Sequence, residues 1–314
     1  MKLAILFWCY KRLDLCIDRL VHLRQYNPDA PIYVLFGGEP SDAPEWEKAL
    51  TPYVDDFYAF DGDPPPGYEN SEGYRGGVFW KYVHGDWMFS AWFRERGRHL
   101  EWDTFVVIQW DMLMYGPIEE VFSCLEPDQC LFSGLRPIRE VEDKWLWVAP
   151  SQTNARETYL EFLDHVREHY GFDGDPLCCL AIVVCLSRAF MEKFVTIERA
   201  ELGGLEYRLP IYAQAFDIPL CHDHPFRPWW AAVEPNRPGI TLRARPVEIW
   251  IPTILYNLAR KKGGRIFHPY WRPAPKNFWS WTWAAIDSIP RVIITTLSRT
   301  IVGNRQLKVR KKRS

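Results

Sequence analysis

Apolar residues run unbroken from Leu3 to Cys9, and then the period changes: Leu13, Cys16, Ile17, Leu20, Leu23 and Tyr26 return at steps of three and four. The first pattern predicts a strand buried on both faces and the second an amphipathic helix. Asn27-Pro28 ends that helix, and a second apolar run, Ile32 to Phe36, stops at Gly37-Gly38, which makes the opening a β-α-β unit with a parallel strand pair. Phe57 to Phe60 reads as a third strand, followed by a Pro- and Gly-rich surface loop from Asp61 to Gly77. Phe79, Tyr82, Val83, Trp87 and Ala91 predict a helix over 78–96. Thr104 to Ile108 is a buried strand running into the polar break Gln109-Trp110-Asp111. Further strands are expected at Cys130–Ser133, Trp145–Val148 and Leu180–Leu186, with a helix over Glu157–His169 between the last two. A helix over Val247–Lys262 is closed by Gly263-Gly264. This alternation predicts an α/β fold with a mostly parallel, Rossmann-like sheet flanked by helices and a basic, aromatic, helical C-terminal extension. In such sheets the carboxyl ends of the strands gather ligand-binding groups, which singles out residues 109–111.

Composition narrows the class. With 314 residues, 47% hydrophobic and 25% charged, the chain can bury a full core as one large or two modest domains, and a disordered or collagen-like chain is excluded. The net charge of −2 conceals an asymmetry. Residues 1–236 hold 21 basic and 38 acidic side chains, whereas residues 237–314 hold 17 and 2. A basic tail on an acidic body suits an anionic membrane surface better than nucleic acid, which is not expected as a partner. Eight cysteines without any Cys-X-X-Cys read as reduced buried thiols, the usage of a reducing cytoplasm. Leu3–Tyr10 is too short to span a membrane, and Ile289–Val302 is interrupted by Pro290, Arg291 and Arg299. The expected location is therefore cytoplasmic, with peripheral attachment to the inner face of the membrane through the extension.

The segment Thr104-Phe-Val-Val-Ile-Gln-Trp-Asp-Met-Leu-Met-Tyr-Gly-Pro resembles the metal-binding strand of GT-A glycosyltransferases, the glycogenin-like family 8 above all: an apolar strand, Asp-X-Asp, then a Gly-Pro turn. The resemblance implies a nucleotide-sugar donor and a divalent cation, Mn²⁺ or Mg²⁺, because two phosphates must be neutralised before a nucleoside diphosphate can leave. Asp111 stands at the second Asp of the pattern as a metal ligand. Gln109 replaces the first, keeping an amide oxygen without the charge, and Trp110 lies between them on the donor side. Ile266-Phe-His268-Pro resembles the late segment that completes the metal shell, with His268 as the second ligand. Phe7-Trp-Cys-Tyr-Lys-Arg resembles the first strand and turn that receive the nucleotide, which makes Tyr10, Lys11 and Arg12 donor-binding candidates, together with Glu39 beyond the second strand. Lys81 and Asp86, on the helix before the metal strand, occupy positions that contact the donor in such enzymes. On the acceptor side, Glu201-Leu-Gly-Gly-Leu-Glu206-Tyr-Arg-Leu-Pro supplies the expected catalytic acid, Glu206 first and Glu201 second.

The resemblance divides the chain into a nucleotide-sugar and acceptor domain over 1–236, a completing segment with His268 over 237–277, and the extension over 278–314. It implies sugar transfer from a nucleotide diphosphate donor to the hydroxyl of a glycan or glycolipid acceptor. The alternative is a non-catalytic nucleotide-sugar or glycan-binding protein of the same fold, since Gln109 removes one carboxylate. Walker, Gly-X-Ser-X-Gly, Gly-X-Gly-X-X-Gly and His-Glu-X-X-His motifs are absent. The rival cluster Cys221-His222-Asp223-His224 has no second half to close a zinc shell and reads as a polar turn.

Overall fold

The apolar run at the N-terminus becomes the central strand. The computed structural model describes residues 1–66, 79–223, 226–237, 239–244, 247–275 and 281–282. The predicted loop beyond residue 66, His224, and the extension 278–314 apart from Trp281 and Thr282 lie outside these residues. Strand β1 (Leu3–Cys9) is buried at every position and leads through α1 (Leu13–Tyr26) to β2 (Ile32–Phe36). Helix α2 (Ala43–Leu50), which buries Trp46 and Leu50, precedes β3 (Asp56–Ala59). The expected helix over 78–96 is two, α3 (Phe79–Val83) and α4 (Gly85–Glu95), because His84 leaves helical geometry at φ −126 and ψ 39. Strand β4 (Thr104–Gln109) follows. It pairs in parallel with β1, as β1 does with β2 and β2 with β3.

Beyond β4 the chain makes β5 (Leu113–Met114), α5 (Ile118–Val121), β6 (Leu131–Phe132), β7 (Arg136–Pro137), α6 (Thr153–Tyr170) and β8 (Leu177–Cys178). Strand β9 (Val184–Ser187) then runs antiparallel to both β4 and β6, which completes a sheet of order β3-β2-β1-β4-β9-β6. The sheet is mostly parallel, as the alternating pattern predicts. Two expected strands are corrected. Residues 145–148 form turns, in which Trp145 N–H donates to Val141 and Ala149 N–H to Trp145 at 2.9 Å each, so local bonds satisfy a backbone that a strand would have paired. The Leu180–Leu186 run becomes strand only from Val184, because Leu180 and Val183 are bonded to Ser133.

Helices α7 (Arg188–Phe194) and α8 (Leu205–Ala215) pack on the main core; β10 (Pro228–Trp229), β11 (Leu242–Arg243), α9 (Ile251–Leu258) and β12 (Ile266–Phe267) follow. A second, smaller core joins Leu113, Tyr115, Ile249, Ile251, Ile254, Phe267, Tyr270 and Ala274. Its backbone frame is an antiparallel pair, Ile266 opposite Met114 and Phe267 opposite Leu113. The return from α9 into that pair needs glycine: a Cβ on Gly263 would lie 1.8 Å from the Asn257 carbonyl oxygen.

Candidate active site at the carboxyl end of β4

Register brings Asp111 and His268 together. Asp111 lies two residues before β5 and His268 one residue after β12, so the antiparallel pairing of these strands sets them side by side, and Tyr270 N–H donates to the Asp111 carbonyl at 2.8 Å. His268 Nδ1 is 2.9 Å from the Arg243 carbonyl, which can only accept, so Nδ1 carries a proton and Nε2 is the nitrogen facing Asp111. Nε2 and Asp111 Oδ1 are 3.4 Å apart. That is an ion-pair separation without hydrogen-bond geometry, and Oδ1 is a buried oxygen with no hydrogen-bond partner. Trp271 Nε1 donates to Oδ2 at 3.4 Å. Asp111 is 9% exposed. Burial pushes its carboxyl up, but His268, the Trp271 indole and a backbone N–H together outweigh it and hold the group below the ordinary carboxylate range.

The donor set fits a divalent cation. Two ligands bound at about 2.1 Å stand about 3.0 Å apart when cis in an octahedron and about 3.4 Å apart in a tetrahedron. The observed separation falls in that range, and the orphaned Oδ1 is the atom a cation would satisfy. Among the described residues no group of three or more His, Cys, Asp or Glu side chains is placed to hold a metal. The rival turn at Cys221 is no exception: its thiol is bonded to the carbonyls of Cys124 and Asp223.

Glu206 reaches this edge of the sheet from α8 by way of the loop before β9. Gln109 Nε2 donates to the carbonyls of Ala181 and Ile182 at 3.3 and 3.2 Å, and Ala181 N–H donates to Glu206 Oε1 at 3.3 Å. Trp147 Nε1 donates to Glu206 Oε2 at 2.6 Å. The loop is fastened to α8 through a backbone vacancy. Pro210 has no N–H to give to the carbonyl four residues earlier, that of Glu206, and Cys179 N–H takes this acceptor at 2.7 Å. Burial lifts the Glu206 carboxyl to about 7, against the pull of Trp147 and Ala181, which favour its charged form. A carboxyl that titrates near neutrality is suited to moving a proton.

The remaining candidates divide. Tyr10 and Trp110 meet edge to face at 6.1 Å, and the Lys11 ammonium stands 5.1 and 4.9 Å from their ring centres, an aromatic and cationic patch at the ends of β1 and β4. Lys81 donates to the Gly37 carbonyl at 2.8 Å at the end of β2, where Glu39 is exposed. Arg12 points away into solvent and is bonded to Asp14. Asp86 is also removed from the donor side: it and Arg208 are each 1% exposed, and both its oxygens are held by the Arg208 guanidinium. Arg208 also donates to the carbonyls of Leu202 and Gly203 and meets His84 Nδ1 at 3.0 Å. The pair therefore clamps α4 to the start of α8. Glu201 is engaged by Arg199. Trp147 and Trp271 are absent from the sequence-based candidates, since nothing in their local pattern marks an indole that serves a carboxylate far along the chain.

No family model matches the chain, and no curated protein matches it. Solved structures similar to it include mouse xyloside xylosyltransferase 1 in its apo form, with a TM-score of 0.38, 10% identity, and coverage of 73% of this chain and 88% of that one. The bifunctional glycosyltransferase WbbM, also apo, has a TM-score of 0.38 at 10% identity and covers 90% of this chain, which spans 49% of WbbM. A cytidylyltransferase from Leptospira borgpetersenii serovar Hardjo-bovis has a TM-score of 0.31 at 10% identity, with 70% and 74% covered. With TM-scores this low these likenesses decide nothing about chemistry, which is read from Asp111, His268 and Glu206.

Proposed function

We propose that the chain transfers a sugar from a nucleoside diphosphate donor to a hydroxyl of a glycan or glycolipid. The observation that carries this reading is the facing pair of Asp111 Oδ1 and His268 Nε2 at a strand end that is joined to a near-neutral carboxyl through Gln109 and Ala181. Asp111 and His268 would hold Mn²⁺ or Mg²⁺, which when bound neutralises the donor diphosphate. Tyr10, braced edge to face by the buried Trp110, offers a stacking face and Lys11 a positive charge to the nucleotide. Glu206 receives the proton of the acceptor hydroxyl as its oxygen bonds to the anomeric carbon and the bond from that carbon to the diphosphate breaks. Direct displacement of this kind inverts the anomeric centre. Trp147 and Ala181 N–H keep the carboxylate aimed while it is charged.

The test is release of nucleoside diphosphate from a panel of nucleotide sugars with hydroxyl acceptors, paired with a thermal-shift screen of nucleoside diphosphates with and without Mn²⁺. Acceptor-dependent release is expected, along with a Mn²⁺-dependent stabilisation that Asp111→Ala abolishes. Nucleotide binding with no release under any acceptor favours the binding-protein reading, for which the uncharged Gln109 is the motivating residue.

A further inference from the structure

Helix α9 is apolar on both sides. Ile251, Ile254 and Leu258 turn into the small core beneath Tyr115 and Phe267. Pro252, Leu255, Tyr256 and Ala259 recur at the three- and four-residue steps that place them on one face, and all four are exposed, Leu255 at 44% and Tyr256 at 47%. A helix apolar all round belongs in a core or against another apolar phase. Arg260, Lys261 and Lys262 follow at once and are exposed, and none of the three has an acidic partner among the described residues. The nearest acid in sequence, Glu248, is bonded to Trp271 N–H and Arg272. From 249 to 286 the chain contains no acidic residue.

We propose that the outer face of α9, with the basic turn after it, docks this protein on an anionic lipid surface. Leu255 and Tyr256 enter the boundary between headgroups and acyl chains, while Arg260, Lys261 and Lys262 meet the lipid phosphates. The charge decides the occupant: a purely apolar stripe would suit a second copy of the chain equally well, but three adjacent cations with no acidic partner among the described residues, Arg260 resting on the Tyr256 ring, complement an anionic surface, whereas the same face of a second copy brings the same cations and no acid to meet them. The consequence for the site is geometric, because α9 and the β5–β12 pair that sets Asp111 beside His268 share one core. A docked α9 therefore holds that edge of the sheet close to the membrane. The inference does not depend on sugar transfer.

Co-sedimentation of the full chain with phosphatidylcholine vesicles, with and without a third of phosphatidylglycerol, tests it at low salt. Wild type is expected to pellet with the anionic vesicles only. Lys261→Gln/Lys262→Gln should weaken partitioning about thirtyfold, and Leu255→Asp/Tyr256→Asp by about tenfold or more, with melting temperatures unchanged because these side chains are exposed. The eight basic residues after Asp287 are present in every variant, so their contribution is common to all. Equal pelleting of both variants and wild type overturns the proposal. So does a wild type that ignores anionic vesicles but dimerises in lipid-free buffer through a contact that Leu255→Asp/Tyr256→Asp abolishes, since the occupant is then a second copy.

Discussion

Replacing Glu206 by glutamine should stabilise the protein in alkaline buffer, by an amount set by its surroundings. The carboxyl is raised from 4.5 to about 7 in the folded chain, mainly by burial. Folding thus favours the protonated form: the stabilisation is complete below the unfolded pKa near 4.5 and is lost as pH rises through about 7. At about 1.4 kcal/mol per unit, ionisation of Glu206 costs the folded state about 3 kcal/mol above pH 8. Glutamine fills the same space without charge but can accept only one of the bonds from Trp147 and Ala181, a loss of about 1 kcal/mol at every pH. The variant should be slightly less stable than wild type at pH 5 and about 2 kcal/mol more stable at pH 8.5. At about 2 °C per kcal/mol in a chain of this size, the difference in melting temperature swings by about 6 °C. Parallel melts of the two proteins across that range are the assay. A difference that stays constant with pH would falsify the assignment of a near-neutral carboxyl, and with it the reason for choosing Glu206 as the base.

Trp147→Phe keeps an aromatic ring but removes the indole donor, so the acid limb of the transfer rate should move up by about one pH unit; an unmoved limb means the indole does not serve Glu206. Asp86→Ala leaves Arg208 buried and uncompensated and should cost about 3–5 kcal/mol in a denaturant melt, whereas a loss under about 1 kcal/mol would refute the clamp between α4 and α8. Gly263→Ala drives a methyl group into the Asn257 carbonyl, so it should displace the return into β12 and abolish Mn²⁺-dependent nucleotide binding; retained binding would show that the turn does not position His268. Asp111→Asn should likewise remove that dependence in a thermal-shift titration while leaving the fold intact, and a full Mn²⁺ response in this variant would exclude Asp111 as a ligand.

Strands β1, β2 and β4 were legible because a strand buried on both faces must be written as an unbroken apolar run, and Asp111 was legible as the polar break at the end of one. His268 could be named from its neighbours, but its partner Arg243 carbonyl could not, since any residue supplies a carbonyl. Helix α8 shows no periodicity because nearly all of it is buried, and Pro210 argues locally against a helix that tertiary packing nonetheless imposes. The turns over 145–148 misled for the opposite reason: Trp145 and Val148 are buried, so the segment has a strand's composition while its backbone bonds are local. Asp86 met Arg208 across 122 residues, a pairing that removes it from solvent and that no spacing rule reveals.

The bond from Cys179 N–H to the carbonyl left open by Pro210 gives the loop before β9 and the first turn of α8 a common fate. Because main chain grips main chain, this bond does not itself depend on the side chain at position 179, which is free to serve the core in which it is buried. The proline is the lock. Substituting it with alanine would restore an N–H that competes for the same oxygen, so that the helix would gain an ordinary rung while the loop lost its mooring. A residue that weakens the helix in isolation thereby makes the acid and the loop before β9 a single moving part, and any opening of this edge of the sheet must carry both or break this bond together with the one from Ala181 N–H to the Glu206 carboxyl.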